Sequence, residues 1–218
     1  RSVVREFLDA RRMALTNRAT EGAFLPLWYR NVMRNMSMSG GAGDAASFEN
    51  RAAHQVAVIA GAGPSLTRAL AAIRAARQGL FLVATDTALR PLMRAGVRPD
   101  VVYALDAGGA SRVDVAGIDT EKIALVADVV ASPTLTGAWL GPLFFSKTEH
   151  LAEARFVDPY FRETAGTYVG LRSAGTVSVG AVDLAILAGA SSIYLAGVDL
   201  SYPAYETHAS GTPHADIR

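Results

Sequence analysis

The chain has 218 residues, of which 50% are hydrophobic and 20 are glycine, a composition typical of an α/β domain with one substantial core. A net charge of +1 argues against a nucleic-acid-binding surface, and the absence of cysteine excludes disulfides, thiolate metal sites and cysteine nucleophiles. Neither a secretory signal nor an apolar run of membrane-spanning length occurs, so we expect a cytoplasmic protein. A first residue other than methionine and a polar end predict a fragment of a longer protein.

The N-terminal part, residues 1–47, is predicted to be a helical segment followed by a flexible linker. Charged and apolar residues alternate over residues 1–12, which indicates an amphipathic helix. Small residues dominate residues 37–47, which predicts the linker, and a nucleotide-binding domain is expected over residues 48–218. Between the first helix and the linker, residues 26–36 predict a second helical stretch. It is expected to pack on the domain through three apolar side chains: Trp28, Val32 and Met36.

A strand, a glycine-rich turn and a helix are predicted over residues 56–77. The turn is Gly61-Ala62-Gly63-Pro64-Ser65, and Pro64 suits a first helical turn because its φ is already helical. Free N–H groups at a helix start bind anions, and the glycines would let a phosphate approach the backbone. Leu66 replaces the third glycine of the GxGxxG motif, so an ordinary NAD fingerprint is not matched. A tight turn without any ligand is the alternative.

Further strands alternate with helices along the rest of the chain. A largely apolar helix is predicted over residues 177–188, with both of its sides buried. This alternation predicts a Rossmann-like α/β fold, with a doubly wound, mostly parallel sheet and helices on both faces. The predicted strands after the first are residues 80–84, 101–105, 123–126, 143–145 and 193–196.

Three of these strands are followed by an aspartate: Asp86, Asp106 and Asp199. In an open α/β sheet, ligands bind at the carboxyl ends of the strands, near the point where the strand order reverses. The three side chains are therefore candidate ligand-binding residues. The alternative for each is a helix cap, as Asp86 could provide for the helix after it.

Two more polar segments are candidates for the site. Residues 173–176 form a small, hydroxyl-rich turn at a helix start, which either caps the helix or binds phosphate oxygens. His208 lies in the polar loop after Asp199, and its ordinary pKa suits a general acid or base. His208, His214 and Asp216 could also suggest a metal, but their spacing fixes no geometry, and we predict no metal site.

Several segments, in order and at appropriate spacing, resemble the core of the Maf (motility-associated factor) family, and the resemblance covers most of the chain from Leu27 onward. They are Trp28–Asn35, Gly61–Leu66, Ala84–Leu89, Gly96–Asp100, Leu105-Asp106, Ser173–Val177, Ile193–Leu200 and Thr207–Ala209.

Maf proteins are implicated in transferring nonulosonic acids of the sialic type onto Ser or Thr of flagellin. Their core is similar to bacterial sialyltransferases that use a CMP-activated sugar. The resemblance therefore implies a CMP-linked donor, a flagellin or other protein acceptor, and no required cofactor. It implies His208 as the catalytic base, and our next candidate for that role is the strand-end carboxylate Asp199. The implied donor-binding residues are Gly61, Gly63, Pro64, Ser65, Asp86, Asp106, Ser173, Gly175 and Thr176. Ala62 replaces an Asn that is usual in the sialyltransferases.

The same core also resembles an archaeal 6-hydroxymethyl-dihydropterin diphosphokinase, which depends on ATP and Mg²⁺. In that alternative, Asp106 and Asp199 would hold Mg²⁺ beside a triphosphate. A third alternative, from a different functional class, is a nucleotide-binding module without catalytic activity.

Overall fold

The computed structural model describes residues 3–148, 169–172, 176–201 and 207–213. The helices are α1 (Val3–Met38), α2 (Ser65–Ala76), α3 (Asp86–Arg94), α4 (Ser111–Val115), α5 (Pro133–Thr136) and α6 (Val177–Leu187). The strands are β1 (Gly43–Asp44), β2 (Val56–Ala60), β3 (Leu80–Thr85), β4 (Val101–Ala104), β5 (Ala124–Asp128), β6 (Leu143–Thr148), β7 (Gly170–Leu171) and β8 (Ser192–Ala196). Among these described residues, no helix is long and apolar enough to cross a bilayer.

The strands form one sheet in the order β1-β6-β5-β4-β3-β2-β8, with β7 beside β6. All pairs of these strands are parallel. From β2 the chain moves outward in one direction through β3, β4, β5 and β6, and β8 then pairs with the other side of β2. The strand order therefore reverses between β2 and β8. The predicted Rossmann-like, doubly wound sheet is confirmed.

Helices cover both faces of the sheet, because its central strands are apolar on both sides. On one face α2 and α3 pack through buried residues such as Leu66 and Leu89. On the other face α6 packs through Ala181 and Leu184. The prediction that both sides of α6 are buried was wrong among the described residues, since its Ile186 is 52% exposed.

The last turns of α1 hold this helix against the sheet through two asparagines one turn apart, Asn31 and Asn35, which are 1% and 0% exposed. Val32 is buried between them, and Trp28 and Met36 pack against the same core, as predicted. Each asparagine Nδ2 donates to two carbonyls in the loops after β4 and β5, at 2.9–3.0 Å: Asn31 to Ala107 and Val130, and Asn35 to Val129 and Ala131.

The segment 37–47 differs from the predicted linker. Helix α1 is continuous through Pro26 and ends at Met38, and Gly43–Asp44 pairs with β6 as an edge strand. Gly43 lies under the ring of Phe144, where a Cβ would come within 2.6 Å of the ring. The Asp44 carboxylate accepts from the N–H groups of Ala46 and Val169, at 2.8 and 3.1 Å. Gly43 thus allows close packing in the sheet where a flexible linker was predicted.

Candidate functional site

A pocket of about 430 Å³ opens at the carboxyl ends of β2 and β8, where the strand order reverses. Its lining comes from the glycine turn after β2, the first turn of α6, the loop after β8, and Thr207 with His208. Crevices at this position are the usual ligand sites of doubly wound sheets. The pocket also has the size of a small-molecule site.

The glycines of the turn allow two loops to approach each other. Gly61 N–H donates to the Ala196 carbonyl at 2.7 Å, and Gly63 N–H donates to the Gly197 carbonyl at 2.8 Å. A Cβ on Gly61 would lie 2.5 Å from the Gly197 oxygen, and a Cβ on Gly63 would clash with the Asp199 carboxylate. The space that was predicted to admit a phosphate is therefore filled by the loop after β8.

Asp199 occupies the N-terminus of α2. Its Oδ2 accepts from the Ser65 N–H at 3.0 Å, and the Ser65 Oγ in turn accepts from the Gly197 N–H at 3.0 Å. Pro64, which precedes the helix, provides no side-chain cap of its own. A carboxylate from the far end of the chain thus takes the place where an anionic ligand was predicted. Asp199 also lines the pocket, so it holds the turn and contributes to the pocket at once.

His208 lies opposite, in the same pocket, and is half-buried. Its Nδ1 is 3.1 Å from the Thr207 Oγ1. The next residue fixes the loop, because Ala209 N–H donates to the Ala62 carbonyl at 2.7 Å. The structure therefore brings both predicted catalytic candidates, His208 and Asp199, to one pocket, from loops that each contact the glycine turn.

The N-terminus of α6 forms another wall. Thr176 is its N-cap, with Oγ1 accepting from the Val179 N–H at 3.3 Å, and Ser178 in the first turn lines the pocket. Ser173 and Gly175, predicted to bind the donor, lie outside the described residues, as do His214 and Asp216.

Asp86 and Asp106 are not among the residues that line this pocket. Asp86 is 4% exposed and accepts from the Thr87 N–H at 2.9 Å, and Ser111 is a further hydrogen-bond partner. Asp106 is exposed, and its Oδ1 accepts from the Gly108 N–H at 2.8 Å in a local turn. Both follow strands that are not adjacent to β8, which explains their separation from Asp199.

Burial raises the pKa of Asp86 to about 6 from 3.8, and the carboxylates of Asp114 and Asp106 add to the rise. Between about pH 4 and 6 the unfolded chain has released this proton while the folded chain retains it. The group therefore makes the free energy of unfolding fall by up to about 3 kcal/mol as the pH rises through that window.

We expect Asp86→Asn to remove this decline, because an amide fills the same space without ionising. Urea denaturation at several pH values from about 4 to 7 measures it. The exposed Asp119→Asn is the matched control and should leave the profile of the wild type unchanged. An Asp86→Asn profile as steep as that of the wild type would contradict the role of burial.

Asp128 is a strand-end aspartate that was not among the predicted site residues. It ends β5, is 0% exposed, and accepts from the Val130 N–H at 3.0 Å and the Thr148 hydroxyl at 2.6 Å. The same signal that identified the other aspartates, a carboxylate directly after an apolar run, was present in the sequence. Its contacts give it a structural role in tying β5 to β6.

The residues do not fit a magnesium ion held jointly by Asp106 and Asp199. Their strands, β4 and β8, are separated by β3 and β2. Three strand spacings amount to about 14 Å, whereas the ligands of one Mg²⁺ each lie about 2 Å from the ion. Within the described ranges, no group of three or more His, Asp or Glu side chains has an arrangement that could hold a metal.

These features define a Rossmann-like α/β domain with a ligand-sized pocket at its switch point. Residues 30–204 match the profile of a family described as 6-hydroxymethylpterin diphosphokinase MptE-like. The chain belongs to this MptE-like family.

A solved structure with the same fold is the Maf glycosyltransferase from Magnetospirillum magneticum AMB-1, at 22% identity and a TM-score of 0.58. The match covers 76% of this chain and 28% of that chain, so the present sequence spans little more than a quarter of that protein. The curated proteins contain no significant match to the sequence. The resemblance to the MptE-like proteins is confirmed at the level of the family, and the resemblance to the Maf proteins is confirmed at the level of the fold.

Proposed function

We propose that the chain is the donor-binding domain of a cytoplasmic glycosyltransferase that transfers a CMP-linked, sialic-type sugar to a Ser or Thr hydroxyl of flagellin or another protein. The observation that carries this proposal is the shared pocket of His208 and Asp199 at the switch point, next to the N-terminus of α6. A base, a carboxylate and the N-terminus of a helix at one place suit the transfer of a sugar from a phosphate.

In the proposed reaction the acceptor oxygen attacks the anomeric carbon of the donor. The bond from that carbon to the phosphate oxygen breaks, and CMP leaves with the electron pair. The acceptor proton passes to His208. In the tautomer whose Nδ1–H donates to the Thr207 oxygen, Nε2 carries the lone pair that accepts this proton. Asp199, fixed on the Ser65 N–H, is placed to orient a sugar hydroxyl.

We place the donor phosphate at α6 instead of α2. The N-terminus of α2 already carries the Asp199 carboxylate, which repels a second anion. Thr176 and Ser178, the described polar residues at the start of α6, are neutral, so the helix dipole there remains favourable for a phosphate. Gly63 and Ala62 then contact the donor from the side, as parts of the pocket wall.

The diphosphokinase is the second candidate, and the description of the matching family is the observation that favours it. Two features of this chain argue against it. The described lining of the pocket contains neither Lys nor Arg to balance a triphosphate, and Asp106 lies three strands from Asp199. A monophosphate-linked donor requires less positive charge, which favours the glycosyltransferase over the diphosphokinase.

Thermal unfolding with added nucleotides tests the proposal. CMP or CDP without metal should raise the Tm by about 5–10 °C when the ligand exceeds its Kd about a hundredfold. Ser178→Phe fills the pocket and should abolish the shift, whereas Ser192→Phe, at the opposite end of β8, should retain it. A shift with ATP and Mg²⁺ only, and none with cytidine nucleotides, would favour the diphosphokinase. Nucleotide binding without any transfer in the longer protein would favour the non-catalytic module.

A further inference from the structure

The outer edge of β8 is an unpaired sheet edge in the described part of the chain. All five residues of β8 pair with β2 on one side, and the strand order ends there. The Ala196 carbonyl accepts from Gly61 N–H on the β2 side. Because successive residues of a strand direct their backbone groups to alternate sides, Ile193 and Leu195 present theirs to the outside. These groups can accept and donate hydrogen bonds to an added strand.

The sequence of β8 itself has none of the features by which edge strands usually avoid pairing. It contains no charged residue, no proline and no bulge, and it runs in register with β2 over its whole length. Tyr194 and Leu195 are 63% and 57% exposed and project to opposite faces of the sheet. The edge therefore suits an uncharged, extended segment whose own side chains cover both faces.

The same edge leads directly into the pocket. The residues that follow β8, from Gly197 to Ser201, line it. Leu200, one of these residues, is 95% exposed. Its φ of 52° is a left-handed backbone conformation, which costs free energy in a bulky residue such as leucine. An extended chain advances about 3.3 Å per residue, so a segment paired along β8 would bring its next residues to the loop that carries Asp199, at the rim of the pocket.

We propose that the outer edge of β8 binds the acceptor polypeptide as an added strand, with a Ser or Thr placed just past the paired residues at the pocket. That the bound segment is the acceptor polypeptide rests on the proposed function. That a strand can be added here rests on the unpaired backbone groups of β8. Backbone hydrogen bonds to Ile193 and Leu195 supply affinity that depends little on sequence, and contacts with Tyr194 and Leu195 select apolar neighbours of the hydroxyl residue.

The test is binding of a fluorescent peptide of about ten residues, uncharged, with Val and Thr alternating, long enough to span β8 and reach the pocket. Fluorescence anisotropy without any sugar donor measures its affinity for the chain. We expect Leu195→Lys to weaken binding about tenfold or more, because a charged edge disfavours pairing and loses the apolar contact. Leu140→Lys is the matched control: Leu140 is 67% exposed, lies before β6, and should leave the affinity unchanged.

A peptide methylated on alternate backbone nitrogens should bind at least as weakly as the variant does, since it cannot complete the ladder. Equal binding of the methylated peptide, equal binding by Leu195→Lys, or no peptide binding at any soluble concentration would overturn the strand addition. A dimer that Leu195→Lys converts to a monomer in light scattering would identify a second copy as the occupant and would also overturn it. Because no donor is present, these results are separate from the CMP-dependent Tm shift, which tests the proposed function by itself.

Discussion

Replacement of His208 by alanine is expected to reduce turnover by about 10²–10⁴-fold, the usual contribution of a general base, while donor affinity changes little. The reason is that the ring lines the same pocket as Asp199, whereas hydrogen bonds to the glycine turn come from the Ala209 N–H and the Asp199 carboxylate. Initial rates and CMP affinity, measured on the full-length protein, check the two halves of the expectation.

His214→Ala is the control for the loss of a histidine in the same segment and should keep most of the activity. Thr207→Val removes the hydroxyl next to Nδ1 and should change the pH dependence of kcat more than it changes the KM. A His208→Ala protein that loses donor affinity instead of turnover, or that behaves as His214→Ala does, would show that the base lies elsewhere. Asp199 would then be the next candidate.

Asn35→Ala is expected to lower the free energy of unfolding by about 2–4 kcal/mol, which corresponds to a Tm lower by roughly 10 °C. The side chain is fully buried and makes three hydrogen bonds: two donated to the carbonyls of Val129 and Ala131, and one accepted from the Thr136 hydroxyl at 2.8 Å. Alanine leaves all three partners buried without their bond. Thermal and urea denaturation measure the loss.

Met33→Ala is the comparison on the same helix, because Met33 is 59% exposed between the two asparagines. It should change stability by only a few tenths of a kcal/mol, about what surface substitutions cost. If Asn35→Ala were as mild as Met33→Ala, the loops after β4 and β5 would have to satisfy their carbonyls without α1.

Local patterns were sufficient to predict the fold and six of the eight described strands, but not the two-residue strands β1 and β7. The apolar runs at residues 56–59 and 101–105 are typical of strands covered on both faces, and the alternation with helices then leaves few topologies. The loop histidine was also predictable, since a polar segment directly after a strand end has to lie at the carboxyl edge of the sheet. His208 lies there, in the pocket.

Strand order could not be predicted in the same way, and it decides which residues meet. Asp86, Asp106 and Asp199 look equivalent in the sequence, yet only Asp199 follows a strand beside the switch point. Its contact with Ser65 joins residues 134 positions apart, so no local pattern reveals it. The linker prediction failed for a related reason: small residues are as suitable for close packing under Phe144 as for flexibility, and only the tertiary contact distinguishes the two.

Among the described residues, helix α1 packs on the sheet through its last turns, and its first turns extend well beyond that contact. Val3 lies about 40 Å along the helix axis from Asn31, at 1.5 Å per residue, which is more than the width of the sheet that the helix joins. Phe7 and Leu8 in its first turns are 67% and 52% exposed. A partner that binds those turns would therefore act on the domain from a distance, through the two asparagines that join α1 to the sheet. A force on the first turns would be transmitted to the loops after β4 and β5, because Asn31 and Asn35 bind the carbonyls of those loops.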